Sequence, residues 1–410
     1  MPAPPLCFDA VVFDLDGTLV ATDRFWIDAA RVGARRAFAE LGIEPPMPTA
    51  AQWMSLVGLP LASGFARLFP DLPAAARARV QELCEEEEHA ALRAGGAALL
   101  PGVERTLEEL RARGVRLGVA SNCGRAYLAS MLDGLGLARW IEEARCLDSA
   151  GVAGKADMVA QVLDAFATRS AVMVGDRLGD RDAAWANGLP HVHLARGFAP
   201  EDEHVEAEAV IETMLDLVPR LERRAAWIER ALEQLGAFGT RGPRTIGVTG
   251  PPGSGKSLFA RDAARLLTAR GARVEVVALD DHRHANAAAD LASTAFVSAA
   301  RPLDLLEHGY DVAAFLTRVE RAARDGIALV QGSFLLHPAL RPRLERVVHL
   351  DVDEATSLRR LAGRDVREHG PESLLVLRRH LLPAARAFDA WVPPREHADL
   401  VLDARNPLGD

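Results

Sequence analysis

The chain has 410 residues, a formal net charge of −9, a sequence pI near 5.8 and 49% hydrophobic residues. The apolar content is ordinary for a soluble globular protein, the length favours two domains over one, and the acidic balance argues against broad attraction to nucleic acid. No apolar stretch reaches the ~18 residues of a membrane span, and Met1 to Pro5 lacks the basic segment and apolar run of a signal peptide, so a cytoplasmic protein without membrane contact is expected.

Ala10-Val11-Val12-Phe13 is a short apolar run and reads as a buried strand. It leads into Asp14 and Asp16, two carboxylates at a period-two spacing that directs both to one side, with Gly17 to turn the chain. Two such carboxylates repel and desolvate each other, and usually need a divalent cation or a shared proton. From about Thr22 to Ala98 the pattern is helical, broken at Pro45-Pro46-Met47-Pro48, with Trp53 and Phe65 as candidate core and the acidic run Glu85 to Glu88 read as a solvated helix face. From Pro101 helix and strand alternate: helix Glu104 to Arg113, strand Val115 to Ala120, helix Met158 to Ala167, strand Ala171 to Val174, strand His191 to Leu194. Alternation of this kind predicts a parallel sheet covered by helices. The four cysteines, Cys7, Cys84, Cys123 and Cys146, form no Cys-x-x-Cys and no ligand cluster, and read as reduced.

A second start follows a boundary expected near Pro219. Leu221, Ile228, Leu232 and Leu235 share one helix face, and Gly236, Gly239, Gly242 and Pro243 break that helix. The strand Thr245 to Val248 runs into Gly250-Pro251-Pro252-Gly253-Ser254-Gly255-Lys256-Ser257. A G-x-x-x-x-G-K-S loop between strand and helix cradles phosphates on backbone N–H groups, with the lysine on the β/γ oxygens and the serine on Mg²⁺. Val274 to Leu279, Ala328 to Val330 and Val347 to Leu350 are further strand candidates. There is no internal repeat.

Taken together, the residues of the first half resemble the haloacid dehalogenase-like phosphatases over roughly residues 8 to 215. Phe13-Asp14-Leu15-Asp16-Gly17-Thr18-Leu19, Val119-Ala120-Ser121-Asn122, Lys155 in Ala153-Gly154-Lys155-Ala156, and Val174-Gly175-Asp176-Arg177-Leu178-Gly179-Asp180 look like the four motifs in order. The resemblance implies a Rossmann-like core with a four- to five-helix cap over about 21–98. It implies Asp14 as nucleophile and Asp16 as general acid and base. Ser121 and Lys155 would hold the phosphoryl group, and Mg²⁺ would sit among Asp14, Asp16, Asp176 and Asp180.

The second half resembles the uridine kinase and phosphoribulokinase-like P-loop kinases over roughly 221 to 403. The features are Ala278-Leu279-Asp280-Asp281-His282, the stretch Leu358-Arg359-Arg360 to Arg364-Asp365, and Leu382-Pro383-Ala384 to Phe388 followed by Ala398 to Leu402. The resemblance implies Asp280 as base toward an acceptor hydroxyl, with Asp281 the less favoured choice, Arg360 and Arg364 as lid arginines, and Gly250, Gly253, Ser254, Gly255, Lys256 and Ser257 as the site of ATP or GTP with Mg²⁺ on Ser257. Relatives carry an acidic residue where this chain has Gln331, and the usual nucleoside-recognition pattern is missing between Asp281 and Tyr310. His282, His284 and His308 read as surface or locally bonded residues.

The fold expected is therefore α/β in two domains, 1–218 and 219–410. The expected function is a bifunctional enzyme: a small-molecule phosphomonoesterase joined to a kinase for a small hydroxylated acceptor. Two rivals stand beside it, a polynucleotide end-processing enzyme and a phosphatase carrying a nucleotide-sensing, non-catalytic module. The chain has 48 Lys and Arg in total but only two lysines, Lys155 and Lys256, one in each motif set. A compact point charge and a planar fork are not interchangeable in a tight pocket, so these two positions mark two phosphate sites.

Overall fold

The computed structural model describes residues 6–200, 202–239, 241–284, 306, 309–406 and 408, without the side chains of 363, 364, 367–369 and 380. Its contacts divide into two compact units, Phe8–Arg220 and Leu221–Asp410, the latter joined by Cys7. The division falls inside one helix, Leu217–Gln234, with Pro219 in its first turn, where a missing N–H costs nothing. Both units are α/β with wholly parallel sheets, as the alternation predicts.

In the first unit six strands run in the order β3-β2-β1-β4-β5-β6: β1 Ala10–Phe13, β2 Arg116–Ser121, β3 Glu143–Cys146, β4 Ala171–Gly175, β5 His191–Leu194 and β6 Ala209–Ile211. β1 is fully buried between β2 and β4, with Phe13 in register with Val119 and Val174. The order reverses direction between β1 and β4, and ligands of open parallel sheets bind outside the carboxyl ends of the strands at such a point. β3 and β6 have no counterpart in the sequence reading. They are short edge strands, and Glu-Ala-Arg-Cys carries no apolar run to betray it.

The inserted segment forms helices Trp26–Leu41, Ala50–Met54, Leu61–Leu68 and Ala74–Arg93. Trp53 is fully buried at its centre, with ring centroids 6.2 Å from Trp26, 6.1 Å from Phe65 and 6.0 Å from Phe69. Edge-to-face rings at these distances gain beyond their area. The reading of Trp53 and Phe65 as core holds.

The second unit has five parallel strands in the order β11-β10-β7-β9-β8: β7 Thr245–Thr249, β8 Val274–Ala278, β9 Ile327–Gln331, β10 Arg346–Asp351 and β11 Leu400–Asp403. Period-two alternation splits its core. Ile246, Val248, Leu329, Val348 and Leu350 face Ile228, Leu232, Phe259 and Leu266. Val277, Ala328, Val330 and Val347 face Phe315, Val319 and Phe388. Helices therefore cover both faces, as a parallel sheet requires. Cys7 packs into the first of these clusters, and all four cysteines are buried and outside any disulfide. No helix among the described residues is long and apolar enough to cross a membrane.

Trp53→Ala should cost about 3–5 kcal/mol, the range for deleting a buried aromatic ring. Thermal unfolding of the variant should show a lowered transition belonging to the first unit; an unchanged unfolding profile would contradict the packing described.

Candidate functional site

Asp14, Ser121 and Asp176 sit at or just beyond the carboxyl ends of β1, β2 and β4, and all three are buried. The Asp14 amide donates to the Val174 carbonyl at 2.9 Å, continuing the β1–β4 ladder into the site. Asp180 lies in the first turn of helix Leu178–Ala186, and Lys155 opens helix Lys155–Ala165. One ligand atom each of Asp14, Asp176 and Asp180 falls within 4.8 Å of the others. The Lys155 ammonium donates to Asp14 Oδ1 and to Asp180 Oδ1, both at 2.5 Å. Asp180 Oδ2 accepts the Arg177 amide at 2.9 Å, which leaves that carboxylate engaged at both oxygens. Asp14 Oδ2 is buried with no hydrogen-bond partner.

Small residues make the room. Gly17 has φ +82°, and a Cβ there would stand 2.4 Å from Asp176 Oδ2. A side chain would thus be strained and would also strike the carboxylate. Asp176 Oδ2 accepts the Phe198 amide at 2.5 Å and its Oδ1 faces Thr18 Oγ1 at 3.5 Å.

The Asp16 carboxylate does not join this cluster, which departs from its expected place among the metal ligands. Its Oδ1 accepts from Thr22 Oγ1 at 2.6 Å and from the Tyr127 hydroxyl at 2.5 Å. Neither Thr22 nor Tyr127 was singled out in the sequence. Tyr127 had one available signal: the chain has only two tyrosines.

Burial dominates the electrostatics. Desolvation, then the Asp180 charge, pushes Asp14 up to about 7 from 3.8, against the opposing pull of Lys155. Desolvation and the charges of Asp14 and Asp180 carry Asp176 well above the carboxylate range. Asp16 is raised by burial, in opposition to its hydrogen bonds from Thr22 and Tyr127. Burial works to lower the Lys155 ammonium, but Asp14 and Asp180 outweigh it and hold it above its ordinary range. Three buried carboxylates against one ammonium leave negative charge uncompensated. A hard divalent cation suits that excess, and the unpartnered Asp14 Oδ2 offers it an oxygen. The residues present fit Mg²⁺ on Asp14 and Asp176, with Asp180 occupied mainly in holding Lys155.

Beside the cluster lies a cavity of about 220 Å³ walled by Asp16, Ser121, Asn122 and Tyr127 from the core and by Trp26, Leu56 and Glu88 from the inserted helices. Two bonds tie the insert's Val57-Gly58 turn to the core. Asn122 Nδ2 donates to the Gly58 carbonyl at 2.9 Å, and Arg177 donates to the Val57 carbonyl while ion-paired with Glu203 at 2.8 Å.

In the second unit the loop after β7 has the expected shape. Gly250, Gly253 and Gly255 have φ of 148°, 76° and 85°. A Cβ on Gly250 would stand 2.4 Å from the Leu350 carbonyl oxygen. Lys256 Nζ donates to the carbonyls of Gly250 at 3.0 Å and Pro251 at 2.8 Å. Ser254 Oγ is buried without a hydrogen-bond partner, and Ser257 Oγ donates to Gln331 Oε1 at 2.9 Å. Asp280, beyond β8, is exposed at 56% of its side chain; its Oδ1 accepts from Arg283 at 2.8 Å and from the Tyr310 hydroxyl at 3.3 Å. β8 is the edge strand and is separated from β7 by β9, so Asp280 is not adjacent to the loop in the sheet. Arg360, the expected lid arginine, donates to the carbonyls of Gly253, Ala404 and Arg405 at 3.1, 2.9 and 2.6 Å. The side chain of Arg364 and all of His308 lie outside the described residues. His282 packs edge-on against Phe315, and His284 is exposed.

The family model of haloacid dehalogenase-like hydrolases matches residues 11–193. A phosphoglycolate phosphatase of Rhodospirillum rubrum is 32% identical over 211 residues, covering 47% of this chain and 81% of that protein. A phosphoglycolate phosphatase of Caulobacter vibrioides is 31% identical over 216 residues, covering 50% and 88%. A crystal structure of a predicted phosphoglycolate phosphatase from Haemophilus somnus aligns with TM-score 0.47 at 19% identity, covering 52% and 97%. Through its first unit this chain belongs to the haloacid dehalogenase-like hydrolases, and that unit is a phosphatase of the family. The family model matching residues 220–290 is that of the methylmalonyl Co-A mutase-associated GTPase MeaB. This corrects the likeness to uridine kinases and phosphoribulokinases expected from the sequence.

The folded Asp14 holds its proton up to about 7, above its ordinary 3.8. Its contribution to stability is therefore fully present below the unfolded value and is lost as pH rises through about 7. A bound cation takes the proton's place and reverses the trend. Excess Mg²⁺ should raise the unfolding temperature of the first unit, and the gain should be larger at about pH 8 than at about pH 5. Asp176→Ala should abolish the gain at both; thermal shifts with and without metal check it.

Proposed function

We propose that the first unit hydrolyses a small phosphate monoester through an aspartyl-phosphate. The observation that carries this is the buried Asp14–Lys155–Asp180 arrangement beside Asp176, which holds a carboxylate with one free oxygen at the end of the central strand. In the first step an Asp14 oxygen forms a bond to phosphorus and the bond from phosphorus to the ester oxygen breaks. Asp16 delivers a proton to the departing alkoxide. Both hydrogen bonds to Asp16 arrive at Oδ1, so Oδ2 is the oxygen that carries the proton. In the second step water attacks phosphorus, Asp16 takes the water's proton, and the Asp14 carboxylate is restored as inorganic phosphate leaves. Lys155 and Ser121 face the phosphoryl oxygens, and Lys155 offsets the charge of the nucleophile. Bound Mg²⁺ supplies cationic stabilisation to a group whose charge spreads over three oxygens. The small cavity favours a small-molecule ester over a polymer end, and the work is that of a cytoplasmic enzyme.

For the second unit we infer binding of a nucleoside triphosphate with Mg²⁺ at Ser257. The likeness to a GTPase family favours hydrolysis of GTP or ATP over transfer to a hydroxylated acceptor. Kinase activity toward such an acceptor, with Asp280 as base, is the second reading. It is supported by Asp280 being held in place by Tyr310 and Arg283. Nucleotide turnover measured with and without a panel of small alcohols separates the two.

Asp14→Asn should lose at least ~10³-fold in phosphatase turnover, the scale for deleting a covalent nucleophile. Near-normal turnover would remove the mechanism. Lys256→Ala should weaken nucleotide binding and leave phosphatase turnover within about twofold, since separate sites act nearly independently. Lys155→Arg and Lys256→Arg should each cost at least ~10²-fold in the affected unit, about 2.7 kcal/mol, with little change in unfolding temperature. Full activity of either arginine variant would mean that a point charge is not what that position needs.

A further inference from the structure

Glu88 belongs to the helix Ala74–Arg93 of the insert and lines the cavity beside the reaction site. It is 7% exposed, and among the described residues it makes no hydrogen bond or ion pair. A carboxyl group buried without a partner is costly, and proteins keep such groups where a ligand supplies the partner. Its neighbours sharpen the point. Burial, then the Asp16 charge, then the Glu85 charge, hold its carboxyl well above the usual range, and it acts on Tyr127 in turn. Glu85 also lines the cavity, with Gln81 donating to it at 2.7 Å. Of the basic residues on the wall, Arg125 is already engaged, its amide donating to Asp148 Oδ2 at 2.7 Å and its guanidinium to the Asp148 carbonyl. His89 is the other. The space that receives the leaving group is therefore acidic on its insert side.

We propose that Glu88 selects phosphate esters whose alcohol portion carries a hydrogen-bond donor, an amino or hydroxyl group, and disfavours esters that carry a carboxylate. A carboxylate there would press further against the ionisation of Glu88 and stand beside Glu85, whereas an ammonium would draw Glu88 into its charged form. An ammonium or hydroxyl instead gives Glu88 the partner it lacks. The proposal rests on the phosphatase reading of this same cavity. It separates this chain from what the names of its phosphoglycolate phosphatase relatives would suggest, since phosphoglycolate is a phosphate ester that carries a free carboxylate.

The test uses the full chain with Mg²⁺ and four esters: phosphoethanolamine, glycerol 1-phosphate, phosphoglycolate and an aryl phosphate. The wild type should show kcat/KM for phosphoethanolamine or glycerol 1-phosphate at least ~10-fold above that for phosphoglycolate. Glu88→Gln, which keeps the shape and removes the charge, should narrow that ratio to within about threefold, mainly through KM. A loss confined to phosphoethanolamine identifies an ammonium as the partner; a loss shared by glycerol 1-phosphate identifies a hydroxyl. Thermal shifts of Asp14→Asn with the same esters should rank them as kcat/KM does, which gives a binding readout without turnover. Three results overturn the proposal: a wild-type preference for phosphoglycolate that His89→Ala removes, a substrate ratio unmoved in folded Glu88→Gln, or hydrolysis of the aryl phosphate alone. Hydrolysis of none of the four overturns the phosphatase reading itself, and the proposal with it.

Discussion

The first unit is organised around one electrostatic problem: three carboxylates and one ammonium out of contact with water. Asp14, Asp176 and Asp180 are at most 1% exposed. Burial makes ionisation of Asp14 and Asp176 expensive, and a single lysine cannot neutralise three carboxylates. Lys155 therefore bridges two, the Phe198 and Arg177 amides take one oxygen each of Asp176 and Asp180, and Asp14 keeps an oxygen that none of the described residues satisfies. That incomplete balance is what gives the site an appetite for a cation and for a phosphoryl group. A site whose charges were fully paired by its own chain would be a structural ion cluster and nothing more.

The central position of β1 follows from the same constraint. Only a strand covered on both sides can deliver a carboxylate to a dry pocket, and Ala10–Phe13 is buried throughout. The insert then closes the remaining side, and its Val57-Gly58 turn is held to the core by Asn122 and Arg177. Removal of water strengthens each charge interaction in the pocket. It also exposes the leaving group to the insert's own side chains, so the element that excludes water is also the one that meets the substrate's variable part.

The legible part of this arrangement was the part built from strand ends. Asp14, Ser121 and Asp176 each follow a short apolar run, so sequence order alone places them at the carboxyl edge of a parallel sheet. Thr22, Tyr127 and Glu88 were not legible, because each reaches the site from a helix or turn whose facing depends on packing over 100 residues or more of intervening chain in the case of Tyr127 and Asp16. The period of a helix shows which residues share a face, not what that face will meet. Arg360 carried less signal for a different reason: arginine is abundant throughout the chain, so its presence in the stretch before Arg364 said little, and its guanidinium donates to three backbone carbonyls.

The two lysines show why a rare residue can inform where an abundant one cannot. Each Nζ is a single donor atom with two oxygens on it: Asp14 and Asp180 at 2.5 Å for Lys155, and the Gly250 and Pro251 carbonyls at 3.0 and 2.8 Å for Lys256. A guanidinium spreads its donors across a plane and would direct them to oxygens set apart in parallel, not to two that converge on one point. Arginine has taken nearly every basic position in this chain, surface ion pairs included. It has not taken the two places where the acceptors converge. The two tyrosines follow a similar logic, for Tyr127 and Tyr310 each bring a hydroxyl to an aspartate beyond a strand end, Asp16 in one unit and Asp280 in the other.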